Sequence, residues 1–442
     1  LSPTDAHLRI DVALDPAAVV ANLAASGLFA DYVVYERLGE WVFAGEARGS
    51  VVLDTEQVRT TWDDTTESAT WTGRPAEVIG AALAALQEID PAASDHRAYG
   101  WLAFESCAYA LGAERYLTER IPLAHLMIPR VEVRVTESAL EISGGTPDEQ
   151  ESIRALAAQA GTGELPTARE LDIRQDPTNY RDRVAAAVAE IDRGDYQKVI
   201  LSRRVEVPFP IDMPATYRLG RANNSPARSF LFRLGDLEAA GFSPELVASV
   251  DELGEVTTEP LAGTRAFGLG EDADSAARRD LESDPKEIVE HAVSVRTSFA
   301  EIASVSEPGT TAVSDYMTVR ERGSVQHLAS TVRGLLAADR TGWEALDVLF
   351  PSVTASGIPK RDCVDAIFRL DGEPRGLYSG AVLSVGPDGS FEATLVLRAV
   401  YQTAQGAWLR AGAGIIGQSR PEREFEETCE KLGSVSPYLV AR

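Results

Sequence analysis

Glutamates three residues apart on two separate helices are the side chains of this sequence best placed to do chemistry. The stretch Pro421–Leu432 reads PEREFEETCEKL, a helix with proline at its first position. At about 100° per residue its side chains divide among three faces. Phe425, Cys429 and Leu432 form an apolar stripe, Arg423, Glu426 and Glu430 face away from it, and Glu424, Glu427 and Lys431 make a third strip. A second helical segment, Asp284–Ile302, repeats the arrangement. There Ile288, Val289, Ala292, Val293, Val295, Phe299 and Ile302 cover most of the surface, and Glu287 and Glu290 interrupt it one turn apart. Carboxylates on such a surface are unfavourable to bury unless a cation meets them. Four of them from two distant helices suit a hard divalent cation, and Mg²⁺ is the expectation. Plainer readings stand beside this one. Glu287, three residues after Asp284, can close a capping box, and Lys431, four residues after Glu427, can be ordinary helix pairing.

Other candidates lie in apolar runs. Arg398 falls inside LVLRAVY, Leu395–Tyr401. A guanidinium in so apolar a strand must find an anion, since it cannot shed its charge; either an internal acid or a substrate carboxylate held bidentately would serve. Tyr378, in an adjoining strand, could add a hydroxyl to the same site. Lys198 opens a strand and runs directly into Val199-Ile200-Leu201. Held against apolar surface its amine would lose proton affinity and suit a general base, unless it snorkels to solvent. Glu245 follows Gly241-Phe242-Ser243-Pro244 and precedes Leu246-Val247-Ala248; desolvation there would favour a general acid. Gly263 and Thr264, in PLAGTR at a strand end, can approach a ligand, and His327 lies in GSVQHL. The run Gly412-Ala413-Gly414-Ile415-Ile416-Gly417 matches a dinucleotide-binding glycine pattern. Too little chain follows it for the helix, return strand and ribose acceptor that pattern requires. Its glycines are better read as permitting close approach of a small ligand to the backbone.

These residues need elements to hold them. Helices are expected at Pro75–Ile89, Pro147–Ala160 and Pro177–Asp192, the last with Tyr180, Val184, Val188 and Ile191 at helical spacing. Strands are expected at Asp31–Glu36, Val131–Val135, Lys198–Pro208, Ser229–Leu234, Leu246–Val250 and Glu255–Glu259. Three more, Leu377–Val385, Phe391–Gln402 and Trp408–Ile416, are joined by turns at Gly386–Gly389 and Thr403–Gly406 and read as an antiparallel meander. Antiparallel runs with helices inserted indicate α+β architecture. The polar segment Gly161–Arg174 is the best boundary, separating a chemically uninformative part, residues 1–165, from a denser one, 177–442.

Composition excludes whole classes. With 42 basic against 68 acidic residues the chain of 442 carries a formal charge of −26, which argues against a nucleic-acid or anionic-membrane partner. An anionic substrate would need a local positive patch. No apolar run approaches the ~18 residues of a membrane span, and no signal-peptide segment opens the chain, which begins at Leu1 and is expected to lack its original start. Cys107, Cys363 and Cys429 share no metal-ligand spacing and are expected as reduced thiols of a cytoplasmic protein.

Taken together, the runs KVILSR (198–203), GFSPE (241–245), PLAGTR (260–265), KEIVEH (286–291), LYSGA (377–381), RAGAGII (410–416) and Glu422–Leu432 resemble the chorismate-utilising enzymes. Within that family the chain most resembles the salicylate synthases of mycobacterial siderophore biosynthesis. The resemblance implies one large α+β domain over residues 1–442, with two packed antiparallel sheets flanked by helices, and conversion of chorismate through isochorismate to salicylate and pyruvate; an isochorismate synthase that stops at isochorismate, or an anthranilate synthase component, is the alternative. It implies Lys198 as the base that activates water and Glu245 as the acid that protonates the departing hydroxyl. Glu290 and Glu427 resemble direct Mg²⁺ ligands, with Glu287 and Glu424 supporting through water. The metal and Lys431 would hold the ring carboxylate, and Arg398, Tyr378 and the Gly412 backbone the enolpyruvyl carboxylate. Thr264, Gly263 and Thr354 would line the pocket, with His327 near the ring. Ammonia-using relatives carry Gln at the position of Lys198, and aminodeoxychorismate synthases carry a nucleophilic Lys at the position of Ala262, so water is the implied nucleophile. No glutamine amidotransferase partner is expected, and the chain is expected to act as a monomer. Gly417-Gln418 departs from the acidic pair of the nearest relatives, beside the metal helix.

Overall fold

In the computed structural model, which describes residues 7–89, 97–161, 164–323 and 325–442, all strands join one hydrogen-bonded network, and the pairings between them are antiparallel. The network divides into two runs that share the long strands Glu40–Asp54 and Pro122–Val135. One run continues through Ala98–Leu102, Ala381–Val385, Phe391–Leu395, Leu246–Val250 and Glu255–Thr258 to the hairpin Ala312–Arg322/Val325–Leu335. The other passes through Tyr32–Arg37, Arg228–Leu234, Leu237–Ser243, Ala399–Thr403 and Gly406–Ile415 to Lys198–Val207. The runs close on each other around a buried cluster that draws Val33, Phe230, Phe232 and Tyr401 from one and Tyr99, Trp101 and Val382 from the other. Burial of this apolar surface holds the two layers together.

The expected meander is corrected by this arrangement. Phe391–Gln402 is not one strand: Phe391–Leu395 pairs with Leu246–Val250 in the first run, and Ala399–Thr403 pairs with Leu237–Ser243 in the second. The chain changes layers between them, at Val396–Arg398, where Arg398 takes a φ of +52°. Arg398 therefore sits in a strand break, not within a strand. Likewise Leu377–Gly380 forms a turn before Ala381–Val385, so Tyr378 precedes the strand instead of lying inside it.

The two glutamate-bearing helices form where proline and an extended residue start them. Pro421–Leu432 begins with Pro421 and buries Phe425, Cys429 and Leu432. Pro285–Val305 begins after Asp284, whose side chain accepts from the Lys286 amide. Its buried face is His291, Ser294, Val295, Ser298, Ile302 and Val305, while Val289 and Phe299 are exposed. This helix is thus less apolar on its inward side than its composition suggests, since His291, Ser294 and Ser298 are among the residues it buries. The segment 164–174 runs over the body of the protein: the Arg169 amide donates to Leu439 O, and Arg203 donates to the carbonyl of Ile173. Residues 162 and 163 of the expected boundary lie outside the described residues. Among the described residues no helix is long and apolar enough to cross a membrane.

Candidate active site

The change of layer that breaks two strands also builds a cavity. Glu245, Thr264, His327, Thr354, Tyr378, Arg398, Gly412 and Lys431 all line it, so eight of the residues singled out in the sequence converge on one space. Glu245 enters at the matching crossover between Leu237–Ser243 and Leu246–Val250 and is fixed by its own backbone, since the Leu395 amide donates to its carbonyl at 3.1 Å. Its carboxyl is 2 % exposed. Ser352 Oγ donates to Glu245 Oε1 at 2.8 Å, and Thr354 Oγ1 bonds to the same oxygen. Burial outweighs these donors and pushes the acid up to about 7.

Across the cavity Arg398 Nη2 lies 2.6 Å from His327 Nε2, and its Nη1 donates to the carbonyl of Arg322 at 3.2 Å. A guanidinium only donates, so His327 Nε2 must accept, and the ring proton is placed on Nδ1, facing Thr264 Oγ1 at 3.0 Å. Burial and then the Arg398 charge hold His327 well below the ordinary histidine range, keeping it neutral. His327 touches Arg398 with its lone pair; its geometry is that of a support for the guanidinium. Among the described residues Arg398 has no carboxylate as a hydrogen-bond partner, and burial together with the neighbouring Arg322 lowers it to about 10. The internal acid that one reading of LVLRAVY required is absent from these contacts, which leaves an anion-shaped need facing the cavity.

On the third side Tyr378 is buried and held neutral by desolvation, above the ordinary phenol range. Gly412 has no room for a side chain: a Cβ would stand 2.5 Å from Leu201 O and 2.9 Å from the Tyr378 hydroxyl. Its carbonyl accepts from Lys431 Nζ at 2.8 Å, and Lys431 pairs with Glu427 at 2.9 Å. Burial works against the Lys431 charge, but Glu427 more than offsets it and raises the ammonium above its usual range.

Lys198 stands just outside this lining, 6 % exposed, with Nζ 2.6 Å from Glu290 Oε1. The expectation of a lysine held against apolar surface alone is corrected: its partner comes from the helix Pro285–Val305. Burial opposes the Glu290 charge, yet the Lys198 ammonium holds it below the usual carboxylate range. Glu287 is taken by Arg265 at 2.9 Å, an arginine that also binds Asp280 and Asp284. Gly263, at φ +87°, brings the backbone so close to Glu287 that a Cβ would lie 3.1 Å from its Oε2. Glu424 is 3 % exposed, and burial followed by the Glu427 charge raises it above the ordinary range. Among the described residues no three His, Cys, Asp or Glu side chains are drawn together at metal-ligand spacing. The four glutamates of the sequence reading do not stand as a preformed cage; lysine and arginine cations are set between them. The donor chemistry nonetheless fits a hard cation, for these are oxygen ligands and burial and the Glu427 charge outweigh the lysine charges acting on Glu424.

Sequence reasoning passed over a buried ionic hub beneath the cavity. Asp371 meets Arg375 at 2.8 Å and Arg410 and Arg183 at 3.3 Å. Arg375 also donates to Ala355 O at 2.9 Å and Ile200 O at 2.6 Å, tying together the segments that carry Thr354 and Lys198. Glu105, fully buried, accepts from the amides of Arg375 at 2.6 Å and Gly376 at 3.0 Å and so fixes the turn that carries Tyr378. The only local signal was the i, i+4 spacing of Asp371 and Arg375; Arg410 stood in RAGAGII without a role.

A buried carboxyl raised to about 7 and an arginine with no carboxylate among its described hydrogen-bond partners share one cavity, to which the helix Pro421–Leu432 contributes Lys431 and Leu432. The chain belongs to the family of chorismate binding enzymes, which it matches over residues 39–437. The salicylate synthase of Mycolicibacterium paratuberculosis is 51 % identical to it over 439 residues, covering 98 % of this chain and 96 % of that protein. Among solved structures, anthranilate synthase component I of Streptococcus pneumoniae shares the fold with a TM-score of 0.71 at 23 % identity, over 90 % of this chain and 92 % of that one. The menaquinone-specific isochorismate synthase of Escherichia coli does so with a TM-score of 0.72 at 19 % identity, over 99 % of this chain and 95 % of that one.

Proposed function

We propose that the protein is a Mg²⁺-dependent salicylate synthase. Water adds at C2 of chorismate as the C4 hydroxyl leaves, giving isochorismate; pyruvate is then eliminated and the ring becomes salicylate. The observation that carries the reading is Glu245, a carboxyl pushed up to about 7 in a cavity shared with Arg398 and Lys431. Near neutral pH a substantial part of such a group is protonated, and that form can give its proton to the C4 oxygen. Lys198, on the strand paired beside Gly412, is the proposed base for the attacking water. Arg398, braced by His327, and Tyr378 are proposed to hold the enolpyruvyl carboxylate, with Gly263, Thr264 and Thr354 shaping the space around the ring. Glu290 and Glu427 would hold Mg²⁺ directly, and Glu287 and Glu424 through water. When bound, the ion would neutralise the ring carboxylate beside Lys431. The protein is further proposed to work in the cytoplasm as a single-domain monomer without an amidotransferase, supplying salicylate for a siderophore.

Incubation with chorismate and Mg²⁺, followed by chromatography of the products, tests this directly. Salicylate and pyruvate should appear in equal amounts. Isochorismate accumulating without either would overturn the second half of the reaction and leave an isochorismate synthase.

A further inference from the structure

Three oxygens meet behind the cavity wall. Ser352 Oγ is 2.8 Å from Glu245 Oε1, Thr354 Oγ1 is bonded to that same oxygen, and the two hydroxyls are 2.7 Å apart. Each pair in this triangle is close enough for a hydrogen bond, so filling it takes three protons. Serine and threonine bring one each. With Glu245 ionised the triangle holds only two, and one of its short contacts sets lone pair against lone pair. A protonated Glu245 brings the third and closes the ring. Glu245 and Thr354 line the cavity, whereas Ser352 stands behind them, 7 % exposed.

From this geometry we propose that Ser352 is a positioning residue that closes a cyclic Ser352–Thr354–Glu245 hydrogen-bond ring, holding the carboxyl proton in place until the substrate takes it. The proposal rests on the reading of Glu245 as the acid. In the reaction the proton passes from the carboxyl to the C4 oxygen, the C4–O bond breaks with its electron pair on oxygen, and water departs. Both hydroxyls then donate to the carboxylate left behind. As plain donors the two hydroxyls favour the ion, against the burial that raises the acid; only the closed ring turns Ser352 towards the acid form, and after transfer both hydroxyls solvate the base. The other groups facing Glu245 are the Leu261 amide, which donates to it, the Glu259 charge, which opposes ionisation, and the Arg398 charge, which favours it. His327, Tyr378, Arg410 and Lys431 line the same cavity; among the described residues the Ser352 hydroxyl bonds to Glu245 and Thr354.

The two possible roles of Ser352 have opposite signs. A hydroxyl that merely donates to a carboxylate stabilises the ion, and removing it raises the midpoint of titration. A hydroxyl that closes the ring stabilises the acid, and removing it lowers the midpoint. Infrared titration of the substrate-free full-length protein reads this without turnover: the carboxylic-acid carbonyl band of Glu245 is identified by its loss in Glu245→Gln. Ser352→Ala should lower the midpoint by about one pH unit, the equivalent of one ordinary hydrogen bond, and Ser352→Thr should restore it. An unchanged or raised midpoint in Ser352→Ala overturns the proposal. Should circular dichroism show Ser352→Ala unfolded, Thr354→Val opens the ring from its other vertex and must give the same downward shift. Absence from the wild-type spectrum at pH 6 of any acid band that Glu245→Gln removes would instead overturn the reading of Glu245 itself.

Discussion

Glu245 is buried and held up to about 7, so near neutral pH a substantial part of it is protonated. Chorismate turnover should therefore fall as pH rises through 7, because the acid form is lost, and Glu245→Gln should abolish isochorismate formation at every pH. The same shift acts on stability. Between its unfolded value near 4.5 and its folded value near 7 the native state binds the proton that the unfolded chain has lost, so stability falls as pH rises across that window. Glu245→Gln removes this penalty. Urea denaturation should show the variant gaining on wild type between pH 5 and pH 8, by at most about 3 kcal/mol; a gap that does not widen with pH would mean that Glu245 is not protonated in the native state. Arg398 makes a second residue-scale case. Its guanidinium reaches His327 and a carbonyl but no carboxylate, so Arg398→Met should leave the fold intact and raise KM for chorismate by about 10- to 100-fold, as expected for a lost charge-assisted hydrogen bond. An unchanged KM would place the substrate carboxylate elsewhere.

The helices Pro285–Val305 and Pro421–Leu432 carry the proposed metal site, and their glutamates are matched by cations unequally. Glu290 has Lys198, Glu287 has Arg265 and Glu427 has Lys431, while Glu424 is raised by burial and then by the Glu427 charge, which the Lys286 and Lys431 charges only partly offset. Glu424→Gln should accordingly raise the melting temperature of the metal-free protein while reducing the further rise produced by Mg²⁺. A Mg²⁺-dependent shift equal to that of wild type would show that this helix face is a structural feature and not a ligand set. Beneath the same elements, Arg375 joins the strand of Lys198 to the segment of Thr354 through two carbonyls and neutralises Asp371. Arg375→Met leaves that buried acid short of a partner and should destabilise the protein by about 3–5 kcal/mol in urea denaturation. A loss below about 1 kcal/mol would mean that Arg410 and Arg183 suffice to hold Asp371.

At the scale of the whole molecule, a formal charge of −26 surrounds a cavity whose cations are inward and mostly engaged. Lys431 is paired with Glu427, and Arg410 with Asp371. The far field felt by an approaching dicarboxylate is therefore repulsive, and attraction begins only at the cavity mouth. Screening should help the encounter: kcat/KM for chorismate should hold or rise, by about twofold, as ionic strength is increased from roughly 20 to 200 mM. A steep fall over that range would reveal a steering patch at the surface. The same field disfavours nucleic acid and anionic membranes as partners.

What the chain alone determines is what depends on near neighbours. The helices Pro75–Ile89 and Pro421–Leu432 and the strand Leu246–Val250 begin and end where periodicity and proline place them, because capping and amphipathic spacing act within a few residues. Eight residues of the cavity lining were also named from the sequence; Glu245, Arg398 and Tyr378 are conspicuous in apolar runs, whereas Thr354 was named only through the family resemblance. Pairing was not legible. That Phe391–Gln402 splits at Val396–Arg398 follows from two different strands, Leu246–Val250 and Leu237–Ser243, competing for its halves, and no local pattern records which layer each half will join. Nor does the run KVILSR reveal that the partner of Lys198 is Glu290, on a helix reached through the whole intervening sheet. The hub of Asp371, Arg375 and Arg410 and the ring of Ser352, Thr354 and Glu245 join segments far apart in sequence. Buried polar groups take whatever partners the tertiary fold delivers, because desolvation penalises any left unpaired and only the assembled structure decides which are within reach.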